Sequence, residues 1–323
     1  MILVTGGAGF IGSSLVDRLL AAGEAVGILD NFDPFYPAEI KRRNLAGALR
    51  SPRCTFVEGD IRDAELLERT FARLRPERVA HLAARAGVRP SLEDPAGYAD
   101  VNVTGTARLL EAARRHGVRR FVFGSSSSVY GSTLQIPFRE DARVDCPVSP
   151  YAATKKAGEE MGFTYHHLYG LEVSCLRFFT VYGPRQRPEM AIHRFTRLID
   201  SGQEVPVFGS GDSSRDYTYI DDIVDGLVGA LERPLPGWSI YNLGESATTK
   251  LGELVQLISE ALGKPARIKR FPEQPGDVPM TCADVSLARR DLGYAPRVSI
   301  RDGIPRFVEW FRTQAERGDE VAG

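Results

Sequence analysis

Thr5-Gly6-Gly7-Ala8-Gly9-Phe10-Ile11-Gly12 follows a short apolar run, Ile2-Leu3-Val4, and opens an amphipathic stretch that continues to about Ala22. The glycines at 6, 9 and 12 fit Gly-x-x-Gly-x-x-Gly. Between a strand and a helix, such a turn brings backbone N–H groups and a helix N-terminus against a pyrophosphate. Phe10 and Ile11 sit on the same turn. A second strand, Ala25 to Leu29, ends at Asp30, at the spacing where an acid takes the hydroxyls of an adenosine ribose. Asn31 adjoins it. A carboxylate there repels a 2′-phosphate, so the stretch reads as a site for NAD rather than NADP. The competing reading is a glycine-rich turn made only for tight packing. The flanking strands and the acid weigh against it.

Outward from this unit, strands alternate with helices. Arg53 to Ile61 reads as a strand with an acidic tip, Asp60 and Ile61 bordering the adenine, and Asp63 caps a helix to about Leu74. Val79 to Ala84 is the next strand and its exit, where small Ala83 and Ala84 let backbone approach the cofactor phosphates. His81 reads as a satisfied, half-buried histidine. Arg85 to Pro95 reads as a loop whose Arg85, Arg89 and Ser91 either meet an anionic substrate or stay solvated. A helix from Tyr98 to His116 carries Asn102, either a packing residue or one that orders active-site backbone. Arg120 to Phe123 is a strand running into Gly124-Ser125-Ser126-Ser127-Ser128, a hydroxyl cluster placed to bind substrate oxygens. Leu171 to Arg177 is another strand, and Phe178 to Pro184 leaves the sheet. Then come a helix from about Met190 to Ser201 and an edge strand, Val205 to Gly209, where Pro206 has no N–H to give. Asp221 is expected to cap a helix to Glu232, followed by a strand, Ser239 to Leu243, and helices from Leu251 and Ile300. The alternation predicts an α/β fold, a doubly wound parallel (Rossmann) sheet with a smaller α/β substrate-binding lobe. The expected division is 1–177 plus about 215–243 for NAD, and about 178–214 plus 244–323 for the substrate.

Ser149-Pro150-Tyr151-Ala152-Ala153-Thr154-Lys155 is the second decisive stretch. Ser149 suits an N-cap and Pro150 the first helical position. Tyr151 and Lys155 then share one helix face. A free phenol, with a pKa near ~10, is a poor base at neutral pH; ionising it about three units lower takes roughly 4 kcal/mol. One ammonium at ~4 Å supplies about 4 kcal/mol at an effective dielectric of ~20. The spacing therefore predicts a lysine-activated phenolate.

Bulk composition removes other classes. The 323 residues are 43% hydrophobic and 26% charged, with net charge -1, which gives no footing for a nucleic-acid or membrane partner. Cys54, Cys146, Cys175 and Cys282 form no metal spacing and read as buried small hydrophobes in a reducing compartment; no metal is expected. No apolar run spans a bilayer, and a strand beginning at Ile2 leaves no room for a leader, so a cytoplasmic protein is expected.

Taken together, the glycine turn, Asp30, the serine strand end and the Tyr151/Lys155 pair resemble the extended short-chain dehydrogenase/reductase family. Within it the chain is most similar to the nucleotide-sugar 4-epimerases, UDP-glucuronate 4-epimerases above all. The narrower signals are Asp30-Asn31, Ala86-Gly87-Val88-Arg89, Arg177-Phe178-Phe179-Thr180-Val181-Tyr182-Gly183-Pro184, Arg215-Asp216-Tyr217-Thr218-Tyr219 and Gln274-Pro275-Gly276-Asp277-Val278. The resemblance implies that Gly6, Gly9, Gly12, Asp30, Asp60, Ile61 and Lys155 hold NAD, and that Ser126 and Tyr151 move the proton. It implies that Arg215 meets a UDP-sugar diphosphate, Asp277 the uridine ribose, and Val207 and Phe208 the uracil. It implies a homodimer pairing the helices Tyr98–His116 and Tyr151–Tyr169 into a four-helix bundle. Arg85 departs from the pattern, where a neutral glutamine is expected.

Related 4,6-dehydratases carry an acid and a base where this chain has Ser127 and Ser128, and UDP-xylose-forming decarboxylases carry a glutamate at Ser128. The resemblance therefore implies epimerisation through a 4-keto sugar. Ser126, Ser127, Ser128 and Thr180, with Arg187, are expected to hold a uronate carboxylate; Arg185 competes with Arg187 for that contact. Two other readings stay open: a 4-epimerase of neutral UDP-hexoses, and a non-catalytic NAD-binding protein.

Overall fold

Successive residues of the first strand face opposite ways. Ile2 and Val4 enter one core layer and Leu3 the other, all fully buried. The computed structural model describes residues 1–133, 135–272 and 279–316. Six strands, β1 (Ile2–Thr5), β2 (Val26–Asp30), β3 (Cys54–Glu58), β4 (Arg78–His81), β5 (Arg120–Ser126) and β6 (Glu172–Phe178), join Trp238–Leu243 in one sheet. Its order is Trp238–Leu243, β6, β5, β4, β1, β2, β3, with every neighbouring pair parallel. The order reverses between β1 and β4, where open α/β sheets form their crevice. The expected doubly wound sheet is therefore present.

Helices cover both faces. Leu15, Val16 and Leu19 of Phe10–Ala21 pack with Ile223, Val224 and Leu227 of Ile220–Glu232 over Ile2, Val4 and Ile28. Leu67 and Phe71 of Ala64–Leu74 and Leu109 of Thr106–Arg115 cover Leu3, Val79 and Phe121 on the other face. Each such buried side chain contributes about 1.5–3 kcal/mol.

Beyond the sheet, Thr180–Tyr182 pairs with Tyr217–Tyr219 and Glu204–Phe208 with Arg267–Phe271, both parallel. Asp216 fastens this region. Its buried carboxylate accepts N–H bonds from Glu245, Ser246 and Ala283 and the Thr218 hydroxyl.

Four expectations change. Arg85 to Pro95 is not all loop, because Val88–Glu93 turns into a short helix tied by Ser91 Oγ donating to Val88 O. The Tyr98–His116 helix is interrupted, with a π turn over Asp100–Gly105 between Pro95–Ala99 and Thr106–Arg115. Asp221 does not cap its helix. It lies exposed in the first turn, while buried Asp222 accepts from Arg297 N and Val298 N. Of the cysteines only Cys175 is buried; Cys54 and Cys282 are half-buried, Cys146 is exposed, and all four are free.

Candidate functional site

A cavity of about 610 Å³ opens at the carboxyl ends of the central strands and is lined by residues from Gly6 to Thr281. Its floor is the glycine turn. Gly6 has φ +68°, and a Cβ there would lie 2.6 Å from Ala83 N; a Cβ on Gly12 would lie 2.1 Å from Gly6 O. Both obstacles are backbone, so neither position admits a side chain. Gly9, Phe10 and Ile11 line the same floor. The Asp30 carboxylate accepts from Ala8 N and Phe32 N, each at 2.9 Å, which fastens the end of β2 to the turn. Burial raises the Asp30 pKa, and these N–H groups oppose it.

Asn31, Asp60, Ile61, Ala83 and Ala84 complete this end. Arg62 holds the Asp60 carboxyl below its ordinary value, and Asn31 Nδ2 donates to Asp60 at 2.9 Å. Lys41 and Tyr36 also line it, and sequence reading missed both. Buried Lys41 donates to Asp33 O at 2.6 Å and lies 4.5 Å from the Tyr36 ring. Lys41 sits in a basic run with Arg42 and Arg43, so nothing in the sequence sets it apart from a solvated charge.

At the other end, Ser149 Oγ caps the Pro150–Tyr169 helix by accepting from Ala152 N. Tyr151 and Lys155 both face the cavity. Ser126 ends β5, and its Oγ accepts from Ser128 N at 3.2 Å and Ser128 Oγ at 3.0 Å. With both lone pairs taken, its one proton is left to donate. Tyr98 stacks edge-on to Tyr151, ring centroids 6.2 Å apart. Asn102, in the π turn, clamps the Arg85 backbone through N–H and C=O and donates to Thr154 Oγ1 on the Tyr151 helix.

Lys155 is tied to the end of β5 as well as facing the Tyr151 ring. Lys155 Nζ donates to Gly124 O at 2.7 Å and sits 5.9 Å from the Tyr151 ring centroid. Burial pushes the Tyr151 phenol up, opposed by a hydrogen bond from Ser126 and the charge of Arg187. Burial also pushes Lys155 down to about 8, with Glu159 opposing. Burial, which disfavours the charged form of both groups, offsets part of what the lysine charge would contribute.

Ser127, Ser128, Thr180, Arg89, Arg187 and Arg215 all line the cavity. So does Arg85, which pairs with Asp94 and lies 5.5 Å from the Tyr98 ring. Arg185 pairs with Asp17 at 2.7 Å and is not among the lining residues, whereas Arg187 is, paired with Glu189 and 5.6 Å from the Phe35 ring. Val207 does not reach the cavity, being buried in the core, and Phe208 touches it only through Arg89, 5.5 Å from its ring. Asp277 lies outside the described residues. Phe179, Met190 and Thr281 are further lining residues that sequence reading did not single out. Thr281 arrives by donating its N–H to Ser214 O, a long-range pairing with no local signature.

These features fit a dinucleotide: a turn closed to side chains at Gly6 and Gly12 before a helix N-terminus, a fixed acid at the end of β2, and small alanines after β4. The sequence matches the GDP-mannose 4,6 dehydratase family model over residues 3–307. A UDP-glucuronate 4-epimerase of Thermodesulfobacterium geofontis is 42% identical over 315 residues, 97% of each chain. The Bacillus cereus UDP-glucuronic acid 4-epimerase, solved with UDP-glucuronic acid and NAD, matches with a TM-score of 0.92 at 36% identity, covering 97% of this chain and 99% of that one. The Thermotoga maritima UDP-glucose 4-epimerase, solved with UDP-glucose, matches with a TM-score of 0.90 at 36% identity and the same two coverages. The chain belongs to the extended short-chain dehydrogenase/reductase family, in the branch whose model is described as GDP-mannose 4,6 dehydratase.

Proposed function

We propose that this protein is an NAD-dependent UDP-sugar 4-epimerase whose substrate pair is UDP-glucuronate and UDP-galacturonate. One observation carries the choice of reaction. Around Tyr151 the cavity presents Ser126, Ser127, Ser128 and Thr180, while its only carboxylates among the described residues, Asp30, Asp33 and Asp60, belong to β2, β3 and the turns after them. Elimination needs an acid and a base beside the sugar. Hydroxyls do not titrate in that range, so this lining favours proton transfer at one oxygen over dehydration.

NAD, when bound, would supply the hydride acceptor and donor for a reversible oxidation at sugar carbon 4, which is what lets that carbon invert. Gly6, Gly9, Phe10, Ile11, Gly12, Asp30, Asn31, Asp60, Ile61, Ala83 and Ala84 would hold the cofactor, with Lys155 on the nicotinamide ribose. Tyr151 takes the 4-hydroxyl proton as base and gives it back as acid, and Ser126 donates to the oxygen that carries it. Lys155, protonated below about 8, keeps a positive charge beside this exchange. Arg215 holds the diphosphate while the sugar turns, and Arg89 closes the same side.

A uronate oxidised at carbon 4 is a β-keto acid, which loses CO2 when its carboxylate bond stands perpendicular to the ketone plane. Ser127 and Thr180 hold the carboxylate away from that geometry, Ser128 joins them only by releasing its bond to Ser126 Oγ, and Arg187 adds charge. A neutral UDP-hexose is the second reading. The Glu189 carboxylate already paired with Arg187 favours it, because it reduces the charge available to a uronate.

We further propose two lobes, 1–177 with about 215–243, and about 178–214 with 244–323. A homodimer would pack the 98–116 and 151–169 helical runs of each copy, covering exposed Phe163, Leu168 and Tyr169. A cytoplasmic setting suits four free thiols, one of them exposed. No helix of the described residues is long and apolar enough to cross a membrane.

Proton NMR of the purified protein with UDP-glucuronate and catalytic NAD+ tests the reading. UDP-galacturonate without accumulating NADH is the expected result. UDP-4-keto-pentose with NADH, or UDP-pentose without it, would make it a decarboxylase, and turnover of UDP-glucose alone would select the neutral sugar.

A further inference from the structure

One turn beyond Lys155, and outside the cavity lining, Glu159 is fully buried. Its Oε1 accepts from Ser125 Oγ at 2.7 Å and Arg177 Nε at 2.9 Å; its Oε2 accepts from Arg177 Nη2 at 2.9 Å, with Lys156 Nζ 3.5 Å away. The Arg177 guanidinium also lies 4.8 Å from the Tyr130 ring, and Tyr130 donates to Asn242 Oδ1 at 2.7 Å. A buried ion pair is weak support for a fold, because an apolar pair of similar volume packs at least as well. The charge therefore calls for a role that packing does not fill.

Its neighbours supply one. Glu159 and Lys155 are i and i+4 on one helix face. Ser125, held by Glu159, directly precedes Ser126, which donates toward Tyr151. The groups that meet Lys155 are Tyr151 and Glu159 on its own helix, Phe123 and the Gly124 carbonyl on β5, and His81 on β4. His81 is neutral there: its Nδ1 meets Thr5 Oγ1 and its Nε2 meets Thr106 Oγ1. Glu159 is the anion that the Lys155 ammonium feels.

We infer that Glu159 is a positioning residue for the Tyr151–Lys155 pair: its buried carboxylate, one helical turn from Lys155, fixes the Ser125–Ser126 strand end against the Tyr151 helix. Arg177 keeps Glu159 ionised and anchors it to β6. The inference rests on the epimerase reading for its catalytic meaning, not for its electrostatics.

The test compares wild type, Glu159→Gln, and the charge-free pair Glu159→Gln with Arg177→Met, all with NAD bound. The Lys155 ammonium is followed by NMR of 15N-lysine-labelled protein, assigned with Lys155→Arg. Glu159→Gln should lower the Lys155 midpoint by about one pH unit, and the alkaline limb of kcat should move with it, while KM changes less than about twofold. The charge-free pair removes the buried, unpaired guanidinium that threatens folding of the single variant. Its midpoint should fall too, by less. A midpoint and alkaline limb unchanged in a folded variant would overturn the inference. Because the NMR titration reads Lys155 whether or not UDP-sugars turn over, its failure is distinct from failure of the epimerase assignment.

Discussion

Half-buried on the cavity wall, the Tyr151 phenol is held above its ordinary value of 10.0 until hydrogen bonds and charge are aimed at its oxygen. The site supplies them from Ser126 and Arg187 rather than from Lys155 alone. Tyr151→Phe should therefore lower kcat by about 10³-fold, the usual range for losing a general base, with KM little changed. Proton NMR of product formation reads this directly. The hydroxyl lining makes a separate prediction. Thr180→Val or Ser127→Ala should weaken UDP-glucuronate binding or release UDP-pentose. Unchanged kinetics and products in both would remove the carboxylate-holding role.

The glycine turn is the element that leaves least freedom. Gly12→Ala puts a methyl 2.1 Å from the Gly6 carbonyl, which neither backbone segment can yield without opening the turn. The variant should purify without NAD, seen as a lost absorbance ratio and no NAD in the acid extract. Gly47→Ala, with nothing within 4 Å, should keep it. This turn, Asp30 and the Ser149-capped helix were legible because each is set by local rules: positive φ, spacing, and capping chemistry. The Val88–Glu93 helix was hidden by its neighbours. Gly87 and Pro90 punctuate the stretch, and a helix this short is held by its surroundings rather than by propensity. The π turn carries no composition signal either, since Asn102 earns its place by bonds to Arg85 and Thr154 that lie far away in sequence.

Across the whole molecule, a histidine in the core sets part of the acid limit. Burial pushes His81 down to about 3 from 6.5, so it stays neutral in the fold while the unfolded chain takes up a proton below 6.5. Stability is then present above the unfolded value and is lost as pH falls through that window. Between about pH 7.5 and about pH 5 this residue should cost about 2 kcal/mol of unfolding free energy. Urea titrations at both pH values should show a larger loss for wild type than for His81→Asn. The sheet itself has a consequence in time. Its outer strand, Trp238–Leu243, comes last in the chain but lies beside β6, and the cavity wall runs from Gly6 to Thr281. A ribosome delivers the glycine turn long before that far wall exists. Folding on the ribosome must therefore leave the nascent β6 edge waiting for its partner, and completion of the substrate wall, rather than of the NAD cradle that ends at Lys155, becomes the late event of synthesis.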